Sequence, residues 1–200
     1  EIKVSDIRKY IDWTYFFVAW DMNHTYPEIL EHPKYGEEAN KLYRDANMLL
    51  DRIEKESWLE GEAVVGLYPA NSVGDDVEVY GDETRTNPVA KFNLMRQQES
   101  KSGVYLSLSD FIASKESGIK DYIGAFAVTA GLGVSKIHDE LKKQGDEYNA
   151  IMLKVLADRL AEALAEMMHE KVRKELWGYS PSENLDCTEL FKGKYRGIRP

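Results

Sequence analysis

The chain is 200 residues long, 43% hydrophobic and 30% charged, with a formal net charge of −9 and one cysteine. That size suffices for one domain with a real core, and the negative charge disfavours nonspecific attraction to nucleic acid, which needs concentrated Lys and Arg. No apolar run approaches the roughly 18 residues of a membrane span, Glu1-Ile2-Lys3-Val4 does not read as a secretory signal, and the single Cys187 excludes an intrachain disulfide, so a cytoplasmic protein is expected.

In chain order, Ser5 is placed to cap a short helix through about Tyr10. Trp13, Tyr15, Phe16, Phe17, Val18 and Trp20 then form an aromatic run too dense for a surface, which predicts an anchor into the core. From Glu37 to about Glu54, Ala39, Leu42, Tyr43, Ala46, Leu49, Leu50 and Ile53 keep helical spacing, and Gly61 is the expected stop. Ala63 to Tyr68, Val77 to Tyr80 and Val89 to Leu94 read as short strands, with a hairpin turn over residues 71–76. Tyr122 to Thr129 is a continuous apolar run, expected at the centre of the sheet. Strands cluster mid-chain between long helices, which predicts an α+β fold: a twisted antiparallel sheet flanked by long helices, in a single domain over 1–200.

The last long helix is expected from Tyr148 to Trp177. Its apolar positions Tyr148, Ile151, Met152, Val155, Leu156, Leu160, Ala163, Leu164, Met167, Val172 and Leu176 recur every three or four residues. Asp158, Glu162 and Glu166 stack four apart on it, where like charges cost about 0.2–0.5 kcal/mol per pair. Two explanations stay open: Arg159, Lys171, Arg173 or water dissipates the repulsion, or a cationic ligand faces it. Acids also gather at Asp75, Asp76, Glu78, Asp82 and Glu83, and bases at Lys192, Lys194, Arg196 and Arg199; a solvated surface is the ordinary reading of both.

Common catalytic motifs fail on spacing. Gly131-Leu132-Gly133 would need its third glycine where Lys136 stands, and His169-Glu170 would need a second histidine where Arg173 stands. The four histidines are dispersed, no serine sits in a nucleophile elbow, and an Asp-x-His-x-x-Gly corrinoid-ligand pattern is missing. No metal site and no catalytic residue are assigned.

A different set of strings is informative. Asp158-Arg159-Leu160-Ala161-Glu162-Ala163, His169-Glu170-Lys171-Val172-Arg173, Trp177-Gly178-Tyr179 and the closing Gly197-Ile198-Arg199-Pro200 resemble the activation domain of cobalamin-dependent methionine synthase. The likeness continues upstream through Tyr10-Ile11-Asp12-Trp13-Thr14, Val65-Gly66-Leu67-Tyr68-Pro69-Ala70, Asp82-Glu83-Thr84-Arg85-Thr86, Arg96-Gln97-Gln98 and Asp121-Tyr122-Ile123-Gly124-Ala125-Phe126-Ala127-Val128, over essentially the whole chain.

The resemblance implies binding of S-adenosylmethionine, whose sulfonium and ammonium want acids and whose carboxylate wants an arginine. Asp12, Glu162 and Arg199 are the positions that match, and they are the expected ligand contacts. It implies reductive reactivation: a flavodoxin-type electron donor reduces cob(II)alamin held by the cobalamin-binding domain of the same polypeptide, and S-adenosylmethionine remethylates it. The protein's part is then to fix donor geometry. The family pattern continues beyond the Arg-Pro turn into segments that complete the pocket, so this chain is expected to lack the C-terminal part. Two rival readings are a freestanding S-adenosylmethionine binder and a non-catalytic protein-docking or regulatory module with an incomplete ligand site.

Overall fold

The structure, a computed structural model, describes residues 2–99 and 103–197. They pack as two compact units, residues 2–64 with 127–197 and residues 65–126. The first is mainly helical and the second carries most of the strands, within the expected α+β class. Among the described residues no helix is long and apolar enough to cross a membrane.

The helical unit opens with α1 (Val4–Ile7). Its cap is Lys3, not Ser5: Asp6 accepts the Lys3 N–H at 3.3 Å, which leaves Ser5 inside the first turn. A 3₁₀ turn (Arg8–Tyr10) leads to α2 (Trp13–Val18). The aromatic run is only half core, because one short helix divides it: Phe16 and Phe17 are fully buried, whereas Tyr15 is 59% exposed.

Helix α3 (Gly36–Glu56) buries the expected Ala39, Leu42, Ala46, Leu49, Leu50 and Ile53. It ends at Ser57, which takes the left-handed conformation with φ 50°, and not at Gly61. Gly61 instead lies in β1, exchanging backbone hydrogen bonds with Ile2 at 3.0 and 3.1 Å.

After the strands come α4 (Val134–Lys143) and α5 (Glu147–Lys171), the latter capped by Asp146, which accepts the Asn149 N–H. Gly133 precedes α4 at φ 98°, and a Cβ there would stand 2.3 Å from the Trp58 carbonyl oxygen. This glycine serves close backbone approach, which accounts for the Gly-Leu-Gly string without a nucleotide.

Helix α5 packs against α1, α2, α3 and α4. Leu153, Leu156, Leu160 and Leu164 are fully buried, each worth about 1.5–3 kcal/mol of apolar transfer. The predicted stripe is displaced at its margins: Tyr148, Ile151 and Leu176 are exposed, while Leu153 and Met168 are core. Helices on several sides bury more than one narrow stripe, so spacing alone places the edge wrongly. Beyond Lys171 the chain opens into a π turn (Val172–Leu176), with Trp177 N–H bonded to the Val172 carbonyl five residues back.

The sheet has the order β3-β2-β1-β4, from β1 (Glu60–Val73), β2 (Asp76–Tyr80), β3 (Pro88–Asn93) and β4 (Asp121–Leu132). β1–β2 and β2–β3 are antiparallel, with Val73 opposite Asp76 across a two-residue Gly74-Asp75 turn. The turn is tighter than expected, because Asn71 and Ser72 are buried strand residues: Asn71 donates to the carbonyls of Ala113 and Ile119, and Ser72 to that of Ile112.

β4 is an edge strand, which corrects the central placement. Its apolar look comes partly from Gly124, Ala125 and Ala127, all exposed, and such small residues lose little in water.

The buried apolar cluster of the strand-rich unit is small: Ala70, Val77 and Val79, with Leu94, Ile112 and Ile123 packed on it. Arg85, at φ 53°, donates to the carbonyls of Ala70 and Asp121 and to Asn71 Oδ1. Arg96 bridges Asp75 and Asp110, each at 2.7 Å, and donates to the Tyr105 carbonyl. Most of the mid-chain acids are therefore paired rather than merely solvated, since Asp76 meets Lys91, Glu78 meets Lys115 and Glu83 meets Arg85 as well, while Asp82 accepts from Thr84.

Candidate functional site

The short segment before α2 is fixed from both sides. Ile11 is buried, and Trp13 packs edge-on against Tyr43 and Phe16 at centroid distances of 4.6 and 5.2 Å. Thr14 Oγ1 accepts the Tyr26 N–H, and Tyr26 donates to the Tyr43 hydroxyl. That hydrogen bond and burial push the Tyr26 hydroxyl up to about 12.

Between them Asp12 is the N-cap of α2, its Oδ1 accepting the Thr14 N–H at 2.9 Å. The cap sets the carboxylate's direction and occupies one oxygen. Asp12 lines an open cleft of about 760 Å³ whose walls include Trp13, Tyr26, Tyr43 and Phe191, with Lys9 and Lys192 also lining it. This is the size of a small-molecule site.

Glu162 stands exposed on α5 and does not line that cleft. Its helix is nevertheless held to α2: the Arg159 guanidinium lies over the Tyr15 ring at 5.8 Å and pairs with Asp158. Of the proposed charge-dissipating groups, Arg159 thus serves Asp158, while Arg173 points elsewhere. Among the described residues Glu162 makes no ion pair. Arg199, the third expected contact, lies outside the described residues. Two of the three expected residues therefore sit on packed helices of the same unit, one at a cleft and one on an exposed helix face.

Sequence reasoning missed the polar cluster at the end of α5. Arg173 is fully buried and binds both oxygens of Glu183, Nε at 2.9 Å to one and Nη2 at 2.5 Å to the other. Its Nη1 is 2.8 Å from His169 Nδ1, and its guanidinium lies 4.1 Å from the centroid of the Tyr195 ring. Burial would lower its proton affinity, but the Glu183 bond and charge outweigh that and raise it, so Arg173 stays cationic.

One turn earlier, Glu170 accepts from the Tyr10 hydroxyl at 2.6 Å and from Lys174 at 3.1 Å. Burial would raise this carboxyl, yet these two bonds hold it below its usual range. The His169-Glu170 pair is thus tied into packing. The signal available in the sequence was Arg173 directly after the apolar Val172. A regular helix would aim the two about 100° apart, but the π turn accommodates both in the interior.

The sequence model of one family, described as vitamin B12 dependent methionine synthase, activation domain, matches residues 3–200. The chain belongs to that family. A solved structure described as the MetH reactivation domain bound to AdoHcy superposes on this activation domain with a TM-score of 0.94 at 52% sequence identity. The match covers 100% of this chain and 62% of that one, so the activation domain described here spans about three-fifths of the length of the solved chain.

Proposed function

We propose that this activation domain binds S-adenosylmethionine and presents its methyl group to a corrinoid held by a neighbouring cobalamin-binding domain of the same polypeptide. The observation that carries the proposal is the match, over 100% of this chain and 62% of the other at 52% identity, to a reactivation domain bound to AdoHcy. AdoHcy is what S-adenosylmethionine becomes once its methyl group has left. The methyl donor supplies the chemistry, an electrophilic methyl on a sulfonium; the protein supplies position and charge.

The residues present fit that ligand. Asp12, with one oxygen committed to its helix cap, has a second lone-pair set for an ammonium at a cleft wide enough for an amino-acid moiety. Glu162 offers an exposed carboxylate on α5 that makes no ion pair among the described residues and that a ligand cation would meet. Arg199 is assigned the ligand carboxylate, by its guanidinium chemistry. No side chain has to move a proton, and the domain works within methionine synthase, a methyltransferase, without a nucleophile of its own.

The proposal extends to an acidic, flavodoxin-type electron donor, which the basic Lys192, Lys194 and Arg196 would meet by charge complementarity. Glu162→Gln in the full-length enzyme tests the ligand assignment. We expect weaker S-adenosylmethionine binding and slower recovery of turnover after oxidation; unchanged affinity and recovery refute the role of Glu162.

A further inference from the structure

We propose that Thr14 is a positioning residue for the ligand site, its hydroxyl setting how far the Asp12 carboxylate stands from the cleft wall that carries Tyr26. The inference rests on the S-adenosylmethionine reading above and names what shapes the ammonium end of that site. Asp12, Trp13 and Thr14 line the cleft from one segment, and Thr25, Tyr26 and Pro27 from another. Thr14 joins the two: its N–H donates to Asp12 Oδ1 at 2.9 Å, and its Oγ1 accepts the Tyr26 N–H at 3.1 Å.

The Tyr26 ring is held independently of that bond. It stacks with Phe17 and Tyr43 at centroid distances of 6.4 and 5.5 Å, and its hydroxyl donates to the Tyr43 hydroxyl at 3.3 Å. Tyr43 is braced in turn on α3, where Asn47 Nδ2 donates to its carbonyl and Arg8 Nη2 donates to Asn47 Oδ1, both at 2.8 Å.

Ring packing tolerates small slides, whereas a hydrogen bond weakens steeply with angle. The Thr14 hydroxyl is therefore what ties the backbone of the Tyr26 segment to the residue that orients Asp12. An ammonium–carboxylate hydrogen bond spans about 2.7–2.9 Å, so a ligand seated against a displaced wall no longer meets Asp12 in that range.

The test is a double-mutant cycle, read by calorimetric titration of S-adenosylhomocysteine, which carries the same ammonium, into the full polypeptide. Thr14→Val keeps the branched shape and the backbone bond to Asp12 but removes the acceptor for Tyr26. Asp12→Asn keeps an oxygen for the Thr14 N–H but loses the charge. We expect Thr14→Val to weaken binding about fivefold with one site per chain retained, and Thr14→Ser, which restores the acceptor, to stay within about twofold of native. Asp12→Asn should weaken binding about tenfold. Adding Thr14→Val to it should cost less than about twofold more, because a group that acts through the carboxylate has nothing left to position.

A merely structural role predicts that the two losses multiply, or that the number of sites falls. Either result overturns the positioning role and leaves the ligand reading standing, as does native affinity in Thr14→Val or a Thr14→Ser variant equally weak. Thr14→Ala takes the place of Thr14→Val in the cycle if the latter does not fold. Native affinity in Asp12→Asn overturns the assignment of Asp12 and the positioning role with it. Absence of binding by the native polypeptide overturns the ligand reading as well.

Discussion

The helical unit and the strand-rich unit are held together by different physics. In the first, α5 is packed by helices on several sides, and four of its leucines are wholly removed from water. In the second, the buried apolar cluster is three residues with three partners, and arginine hubs tie strands to loops. A helix surrounded on several sides obtains its stability from area. A sheet with a small core depends on satisfying backbone carbonyls that would otherwise be buried without a donor, the role Arg85 plays for Ala70 and Asp121.

Breaking the helical unit should have the largest effect at the buried Arg173–Glu183 ion pair. Arg173→Met leaves Glu183 buried without its partner and should cost about 3–5 kcal/mol in urea unfolding. A loss under 1 kcal/mol, roughly that of a surface pair, would show that Glu183 finds water instead. Next is Leu160→Ala, which opens a cavity against α5's neighbours and should cost about 3 kcal/mol.

The strand-rich unit should respond more to polar changes than to apolar ones. Arg85→Met strips donors from two carbonyls and should cost about 2 kcal/mol, with protection from hydrogen exchange lost mainly over 70–93. Loss of protection across α5 instead would contradict the division into two energetic regimes.

The smallest expected effect is acid sensitivity. Arg96's hydrogen bonds, followed by the Ser107 N–H, hold the Asp110 carboxyl down at about 2. Because the folded value lies below the ordinary value near 4, the stabilisation is complete above about pH 4 and fades as pH falls toward 2. Arg96→Leu should flatten that dependence in urea titrations between about pH 4.5 and 2.5. A slope that survives the substitution would assign it to other carboxylates.

These contrasts also explain what was legible in the sequence. Helix α3 showed itself because its buried residues keep one stripe, and the strands because β-branched and aromatic residues cluster in short runs. The edges of the α5 core were misread because surrounding helices bury a wider arc than a single stripe. β4 was placed centrally because apolar composition does not record the strand order, which depends on pairing between distant segments. Ser5 and Gly61 are good start and stop residues in isolation, yet Lys3, whose N–H Asp6 accepts, and the left-handed Ser57 hold those positions.

The candidate site divides in the same way. Asp12 was found through its string, and its helix cap gives it a defined direction. The sequence offers Arg173 only as one of several charges that could offset the acids of α5. Its burial depends on a π turn and on Glu183 and Tyr195, ten and twenty-two residues further on in the chain. Chemistry that rests on a residue's own type is readable from a string, whereas a contact between distant residues requires the fold.

The most direct measurement is calorimetric titration of S-adenosylmethionine into the full polypeptide that carries this domain, in the native sequence and with Asp12→Asn and Glu162→Gln combined. The account predicts one saturable site per chain in the native protein and at least a tenfold loss of affinity in the double variant, about 1.4 kcal/mol or more. Equal affinity in the two proteins, or no heat of binding from the native protein at millimolar ligand, would contradict it.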